Sequence, residues 1–296
     1  MPSYPVPTSF VLPLLGTSSG GEEVPVAGAE VELTTVLAGE LGVTAVYSAT
    51  GSSDTEGKVE LSLIPGGLDN RIYLAQVRSS PDSEHASLAS QLISVGQGST
   101  NTGYLSGLVL ARRVGVSGTL YDANGEPVAG AQVVAQPSVG FAWGLSLEVQ
   151  DFLDNLQAPS TTSNDHGDFL LWVDPEVAEN AALYDLQITP SPGTAAPPWT
   201  EEAQEVMVTG DEGLTGRQLG RIDLPPASYA RGTVKTGEGE TIESATLWVL
   251  EIRTDDMLCT GAIRPLGDTC VPPAIPRGLW SSRSDGQVWI ALPDPP

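Results

Sequence analysis

The residues able to do chemistry are few and far apart. The chain of 296 residues has two histidines and two cysteines. His85 is followed by Ala86-Ser87-Leu88 and His166 by Gly167-Asp168-Phe169, so neither opens a His-x-x-Glu pair of zinc-peptidase type. No phosphate-binding loop or dinucleotide fingerprint is present. Nucleophile, base and metal ligand do not converge in the sequence, so no catalytic residue and no cofactor is expected, and the chain reads as a non-enzyme.

Three weaker constellations remain. Cys259 and Cys270 bracket a short Gly/Pro-bearing loop. A disulfide there would contribute roughly 2–3 kcal/mol by loop-closure entropy and would place the protein in an oxidising compartment. Free thiols are the other reading. Asn164, Asp165 and Asp168 cluster in one stretch, which makes Asp165 and Asp168 weak calcium candidates. The EF-hand spacing is absent, and Asx-turns account for the same residues. Trp143, Trp199 and Trp280 fall in expected loops, where exposed indoles stack on sugar rings, so they are the glycan-binding candidates. Packing of these tryptophans against prolines is the alternative. Trp172, Trp248 and Trp289 fall on expected strands and read as core.

Composition narrows the partners. The net charge is −24, which repels phosphate backbones and argues against nucleic acid. No apolar run is long enough to span a bilayer, so no membrane span is expected. The N-terminus, Met1-Pro2-Ser3-Tyr4-Pro5-Val6-Pro7, has neither the basic nor the apolar region of a signal peptide. Met1 is therefore expected to stand after a removed leader, with a lipid anchor upstream as one form of it. The 33 glycines and 24 prolines fit short strands joined by tight turns.

What must position any site is a repeat. Val24-Pro25-Val26-Ala27-Gly28-Ala29-Glu30-Val31 returns as Glu126-Pro127-Val128-Ala129-Gly130-Ala131-Gln132-Val133. A weaker copy is Glu240-Thr241-Ile242-Glu243-Ser244-Ala245. Each is followed by a turn and a strand, at Thr55-Glu56-Gly57-Lys58-Val59, Asp165-His166-Gly167-Asp168-Phe169 and Ser284-Asp285-Gly286-Gln287-Val288. Recurrence at fixed offsets means tandem modules. The divisions are 1–112, 113–224 and 225–296, the last incomplete by comparison with the others. Strands are expected over Ser9–Leu15, Ala29–Leu37, Lys58–Ile64, Arg71–Val77 and Tyr104–Leu110, with a helical turn within Pro81–Ile93. In the second module Asp122-Ala123-Asn124-Gly125 predicts a type I′ hairpin turn. Leu145, Val149, Phe152 and Leu153 predict a short helix in the insertion.

The run Gly118 to Val133, followed by Asn164-Asp165-His166-Gly167-Asp168-Phe169, resembles the carboxypeptidase regulatory-like domain. That resemblance implies an all-β chain of transthyretin-like (prealbumin-like) sandwich modules. It implies no peptidase activity, since the family's domain is a non-catalytic neighbour of the protease. The expected protein is a bacterial extracellular or surface-anchored rod, acting as a stalk or adhesion scaffold with a protein or glycan partner at the cell surface. Carbohydrate binding through loop aromatics is the rival expectation.

Overall fold

The computed structural model describes residues 6–38, 44–66, 70–142, 144–178, 180–191, 194, 196–205, 208–210, 213–252 and 274–293. The chain divides into two compact units. Unit 1 holds Met1–Val114, Leu145–Gln157 and Trp172–Ala182; unit 2 holds Gly115–Gly144, Ala158–Leu171 and Leu183–Pro296.

The first copy of the repeat has strands β1 (Thr8–Thr17), β2 (Glu23–Pro25), β3 (Glu30–Ala38), β4 (Thr44–Ser52), β5 (Lys58–Leu63), β6 (Arg71–Arg78) and β7 (Leu88–Val95). Helix α1 (Gln97–Thr102) and strand β8 (Leu108–Leu110) follow. One sheet runs β4-β3-β6-β7, all antiparallel. In the other, β1 takes β2 and β5 antiparallel and β8 parallel. Alternation explains the layers. Along β5 exposed and buried residues alternate strictly, and Phe10, Leu12 and Leu14 of β1 are fully buried. They join Val31, Leu33, Tyr73 and Val77 in one core. Each buried large aliphatic contributes about 1.5–3 kcal/mol. The Tyr73 hydroxyl, buried with its ring, donates to the Ile64 carbonyl and accepts from the Ile64 amide. The helical turn expected within Pro81–Ile93 is not formed. Leu88–Val95 is instead the edge strand β7, because pairing with β6 satisfies its backbone and buries Ala89, Ile93 and Val95. The last strand is shorter than expected; Tyr104 bridges Val11 only at a single point.

The second copy has β9 (Val114–Tyr121), β10 (Gln132–Pro137), α2 (Val139–Ala142), α3 (Leu147–Asp154), β11 (Ser160–Thr162) and β12 (Asp168–Val173). It continues with β13 (Glu176–Val177), β14 (Asn180–Ala181), β15 (Leu183–Thr189), β16 (Trp199–Glu205), β17 (Val208–Gly210), β18 (Gly213–Thr215) and β19 (Arg217–Asp223). Its sheets are β11-β10-β15-β16 and β12-β9-β19, with β19 parallel to β9 as β8 is to β1. The helix expected in the insertion is α3, with Val149 and Phe152 buried. The third copy has β20 (Ala227–Thr233), β21 (Thr246–Ile252), β22 (Ala274–Ser281) and β23 (Gln287–Pro293). Here β20 pairs with β23 and β21 with β22, repeating β1 with β5 and β3 with β4. The protein is thus an all-β chain of tandem sandwich modules.

One corner recurs in all three copies. It is where the chain crosses from one sheet to the other and back. In the first copy Gly28 N–H donates to the Ser53 carbonyl, Ser53 N–H to Ala29, and Ala29 N–H to the Ser53 hydroxyl. In the second, Gly130, Ser163 and Ala131 make the same bonds, and the Ser163 hydroxyl donates to the Val128 carbonyl. In the third, Ser244, Ser282 and Ala245 do so, with the Ser282 hydroxyl donating to Ile242. All three serine hydroxyls belong to buried residues. Gly28 and Gly130 have φ of 73° and 69°, the left-handed region that favours glycine. They sit at the sheet-crossing corner. Ser244 holds φ 57° at the matching position, a strain of order 1 kcal/mol that glycine would avoid.

The turns beside the corner correct the expected type I′ hairpin. Gly125 N–H donates to the Asp122 carbonyl and Asp122 N–H to Glu126, while Gly125 has φ 81°. Asn124 keeps a negative φ, so this is a type I turn closed by a left-handed glycine. The Asp122 carboxylate drives it, accepting from the Asn124 and Glu126 amides. Asp54 accepts from Glu56 and Lys58, and Asn164 from His166 and Asp168, in the same way. The backbone bond from Lys58 holds the Asp54 carboxyl below its ordinary range. Slight burial opposes the same shift at Asp122, but its turn amides outweigh it and the net direction is down. A lowered folded-state pKa gives stability that is complete above the unfolded value, about 3.9, and is lost as pH falls through the folded value. Replacing Asp54 and Asp122 with Asn keeps the accepting oxygen, as Asn164 shows. The double variant D54N/D122N is expected to fold normally and to lose less stability between about pH 4 and pH 2. Urea titrations across that window check this.

Candidate functional site

Among the described residues, several groups with acid, base or nucleophile chemistry serve turns and packing. By letters, Gly16-Thr17-Ser18-Ser19-Gly20 fits the Gly-x-Ser-x-Gly pattern, but a nucleophile elbow needs a strand-to-helix turn. Here the turn joins antiparallel β1 and β2, and the Ser18 hydroxyl accepts from the Glu22 amide within it. His166 is exposed in its turn. His85 is buried, and its ring lies so close to Gly16 that a Cβ there would fall 2.1 Å from the imidazole Cδ2. Gly16 is therefore required by packing. Asp168 accepts from the Thr119 hydroxyl at 2.7 Å and from the Asn164 amide, and the Thr119 bond chiefly holds its carboxyl low. Asp165 lies exposed in the same turn. Among the described residues no group of three His, Cys, Asp or Glu is placed to hold a metal ion. Cys259 and Cys270 lie outside the described residues.

A buried polar cluster among the described residues was not signalled by any motif. Within unit 1, Arg113 and Asp174 form an ion pair, Nε to Oδ1 at 2.8 Å, with both side chains almost wholly buried. Arg113 Nη1 donates to the carbonyls of Ser80, Pro81 and Ser83. Asp174 Oδ2 accepts from the Ser87 amide. Burial pushes the Asp174 carboxyl upward, and Arg113 opposes the shift. The pair ties the 80–87 loop, the end of the first copy and the 172–182 stretch into one unit. Sixty residues separate the partners in sequence, and no periodicity links them.

The tryptophans are not where the loop reading put them. Trp199 begins β16, with its indole N–H donating to Glu201, and Trp280 lies in β22 opposite Leu247. Trp143 lies outside the described residues. The tryptophans read as core are on strands but face outward: Trp172 is 47%, Trp248 63% and Trp289 43% exposed. Val288-Trp289-Ile290 is apolar throughout, so alternation could not tell its two faces apart. In the β20–β23 pairing Arg231 lies opposite Trp289 and exposed Tyr229 opposite Ala291, which puts all three on one face. The Arg231 guanidinium stacks 3.7 Å above the Trp289 ring.

No protein-family model matches the chain, and no curated protein does. Among solved structures it is similar to the shaft pilin SpaA from Lactobacillus rhamnosus GG, at 15% identity over 75% of this chain and 98% of that one, with a TM-score of 0.34. It is also similar to GBS52, the minor pilin of Streptococcus agalactiae, at 10% identity over 77% and 98%, with a TM-score of 0.35. The Bacillus anthracis TIE protein is similar at 11% identity over 97% of this chain and 44% of that one, with a TM-score of 0.26.

The buried pair gives a direct test of its structural role. Asp174→Ala leaves the Arg113 charge buried without its partner and is expected to cost about 3–5 kcal/mol. The double change Arg113→Met with Asp174→Leu removes both charges and is expected to recover most of that loss. Denaturant midpoints of the three proteins decide it.

Proposed function

We propose that this chain is a non-catalytic structural protein of a bacterial cell surface, serving as a stalk or protein-interaction scaffold. Its modules are residues 1–112, 113–224 and 225–296, each built on the plan of the carboxypeptidase regulatory-like domain. The observation that carries this reading is the corner repeated around Ser53, Ser163 and Ser282. Repetition of a bond pattern specifies architecture, whereas catalysis needs unlike groups converging at one point. The carboxylates Asp54, Asp122 and Asp174 and the hydroxyls of Ser53, Ser163 and Ser282 serve turns, one buried ion pair and the corners. The acidic surface fits a protein kept soluble while its neighbours are other proteins.

A second reading, carbohydrate binding, is favoured by one observation. Tyr229 and Trp289 share an open strand face, and Trp248 is exposed as well. That face is a better stacking platform than Trp199 or Trp280, both of which are partly covered.

Antibodies to the chain are expected to label intact producing cells as strongly as lysed ones. Labelling only after lysis would end the surface reading. A glycan array with the purified chain is expected to stay blank. Binding that Trp289→Ala removes, while Trp199→Ala and Trp280→Ala retain it, would replace the scaffold reading with the carbohydrate one.

A further inference from the structure

Two arginines of the third copy converge on one exposed indole. The Arg231 guanidinium lies 3.7 Å from the centroid of the Trp289 ring, and that of Arg283 lies 5.9 Å from it. Arg231 stands directly opposite Trp289 in the β20–β23 pairing, with Tyr229 beside it on the same face. Arg283 is held by the turn before β23: its amide donates to the Gln287 carbonyl, and its carbonyl accepts from Gly286. All four residues are exposed. The openness belongs to this place in the module. Trp289 stands three residues after its turn glycine, as Glu60 and Leu170 do in the first and second copies, and both of those are exposed. Ser9 matches Tyr229 by pairing, opposite Ser62 as Tyr229 is opposite Ala291, and it is exposed too.

What these two arginines lack is an acid. The chain holds 37 Asp and Glu against 13 Lys and Arg. Arg78, Arg112, Arg113 and Arg221 each form an ion pair, with Glu32, Glu84, Asp174 and Asp223. Among the described residues, neither Arg231 nor Arg283 pairs with a carboxylate, and the guanidinium of each meets the Trp289 ring instead. Asp285 lies in the same turn as Arg283, but its Oδ1 accepts from the Gln287 amide. A guanidinium stacked on a ring uses its flat face, so its N–H edge stays free in the plane for two parallel bonds to a carboxylate. Two such open edges beside one ring point to an acid supplied from outside the chain.

We propose that the face carrying Tyr229, Arg231, Trp289 and Arg283 docks an extended acidic segment of a partner protein, with Asp or Glu at alternate positions. Alternate side chains of an extended segment lie about 7 Å apart on one side. That spacing lets two carboxylates meet two guanidiniums gathered around the same ring. The exposed Tyr229 ring offers the apolar stems of those side chains a surface to pack on. Arg231 already lies over a face of the Trp289 ring, where a sugar would have to stack, which favours a peptide acid over a saccharide. The attraction is local. At about 0.15 M ionic strength charges are screened beyond roughly 8 Å, so the net charge of −24 spread over the chain does not cancel it. Arginine clusters that read acidic motifs are a recurrent mode of peptide recognition. The inference rests on the protein-interaction reading above and gives that partner its chemistry.

Titration calorimetry on the full chain tests it, with an eight-residue peptide that alternates glutamate and threonine. A peptide that alternates glutamine and threonine is the neutral control. The acidic peptide is expected to bind at least about tenfold more tightly than the control. Arg231→Gln and Arg283→Gln are each expected to weaken it about fivefold, the upper end for an exposed ion pair. Arg221→Gln removes the same charge from an arginine already paired with Asp223 and stacked on Tyr121, and is expected to leave binding unchanged. Unchanged denaturant midpoints are the control for folding of the three variants. Equal binding of the two peptides overturns the proposal, and so does a loss in Arg221→Gln as large as in Arg231→Gln. An oligosaccharide of glucuronic acid is the last probe. If it binds and Arg231→Gln removes that binding, while the acidic peptide does not bind, the proposal is overturned in favour of the carbohydrate reading. Binding of neither probe overturns the proposal alone, because labelling of intact cells judges the surface scaffold separately.

Discussion

A buried serine hydroxyl fixes the point at which each sandwich changes sheets. A strand leaving one sheet for the other exposes backbone groups that neither ladder can pair, and burying them unpaired would cost about 1–3 kcal/mol each. Ser53, Ser163 and Ser282 meet that cost with backbone and side chain together. The outgoing and returning chain segments are thereby joined at one place. Once the corner is set, β3 must follow Ala29 and β5 must follow the Asp54 turn, and period-two alternation places every later side chain. The core of Phe10, Leu12, Leu33 and Tyr73 depends on that register.

The glycines beside the corner follow from the same constraint. At Gly57 a Cβ would stand 2.4 Å from the Leu14 carbonyl oxygen, and at Gly167 2.4 Å from that of Leu120. Those contacts are close because Leu14 and Leu120 donate their amides to the glycine carbonyls. Turn chemistry and strand pairing therefore share one small space, which explains why the repeat is recognisable at few positions and variable elsewhere. The ionised side chains Asp54 and Asp122 are part of this framework, each lowered in pKa by the bonds that shape a turn, while Asp168 beside the third turn is held low chiefly by the Thr119 hydroxyl.

Much of the architecture was legible in the sequence because turn residues and alternation carry it. Asp54, Gly57, Asn164 and Gly167 announce turns, and Val59, Leu61 and Leu63 announce one buried face. Helix α3 showed itself through Val149 and Phe152. What the sequence concealed depends on pairing at a distance. Leu88–Val95 has no clear local period and becomes a strand only because β6 offers an edge. Val288-Trp289-Ile290 is apolar on both faces, so the outward turn of Trp289 needed the register of β20 against β23. Arg113 and Asp174 meet through the fold alone. The corner serines looked ordinary in sequence, although Ser53, Ser163 and Ser282 each stand four residues before the turn glycine, a spacing that could have revealed them.

The central claim is that one corner, used three times, organises the chain. Its most direct test is segment-resolved hydrogen exchange on the full chain with Ser53→Ala, Ser163→Ala and Ser282→Ala made separately. Each change takes the hydroxyl acceptor from an alanine amide, in a buried residue at Ala29 and Ala131 and a part-buried one at Ala245. The account predicts a loss of about 1–3 kcal/mol in protection, confined to the strands of the copy that carries the change. Unchanged protection in all three variants, or the same strands loosening whichever serine is replaced, would contradict it.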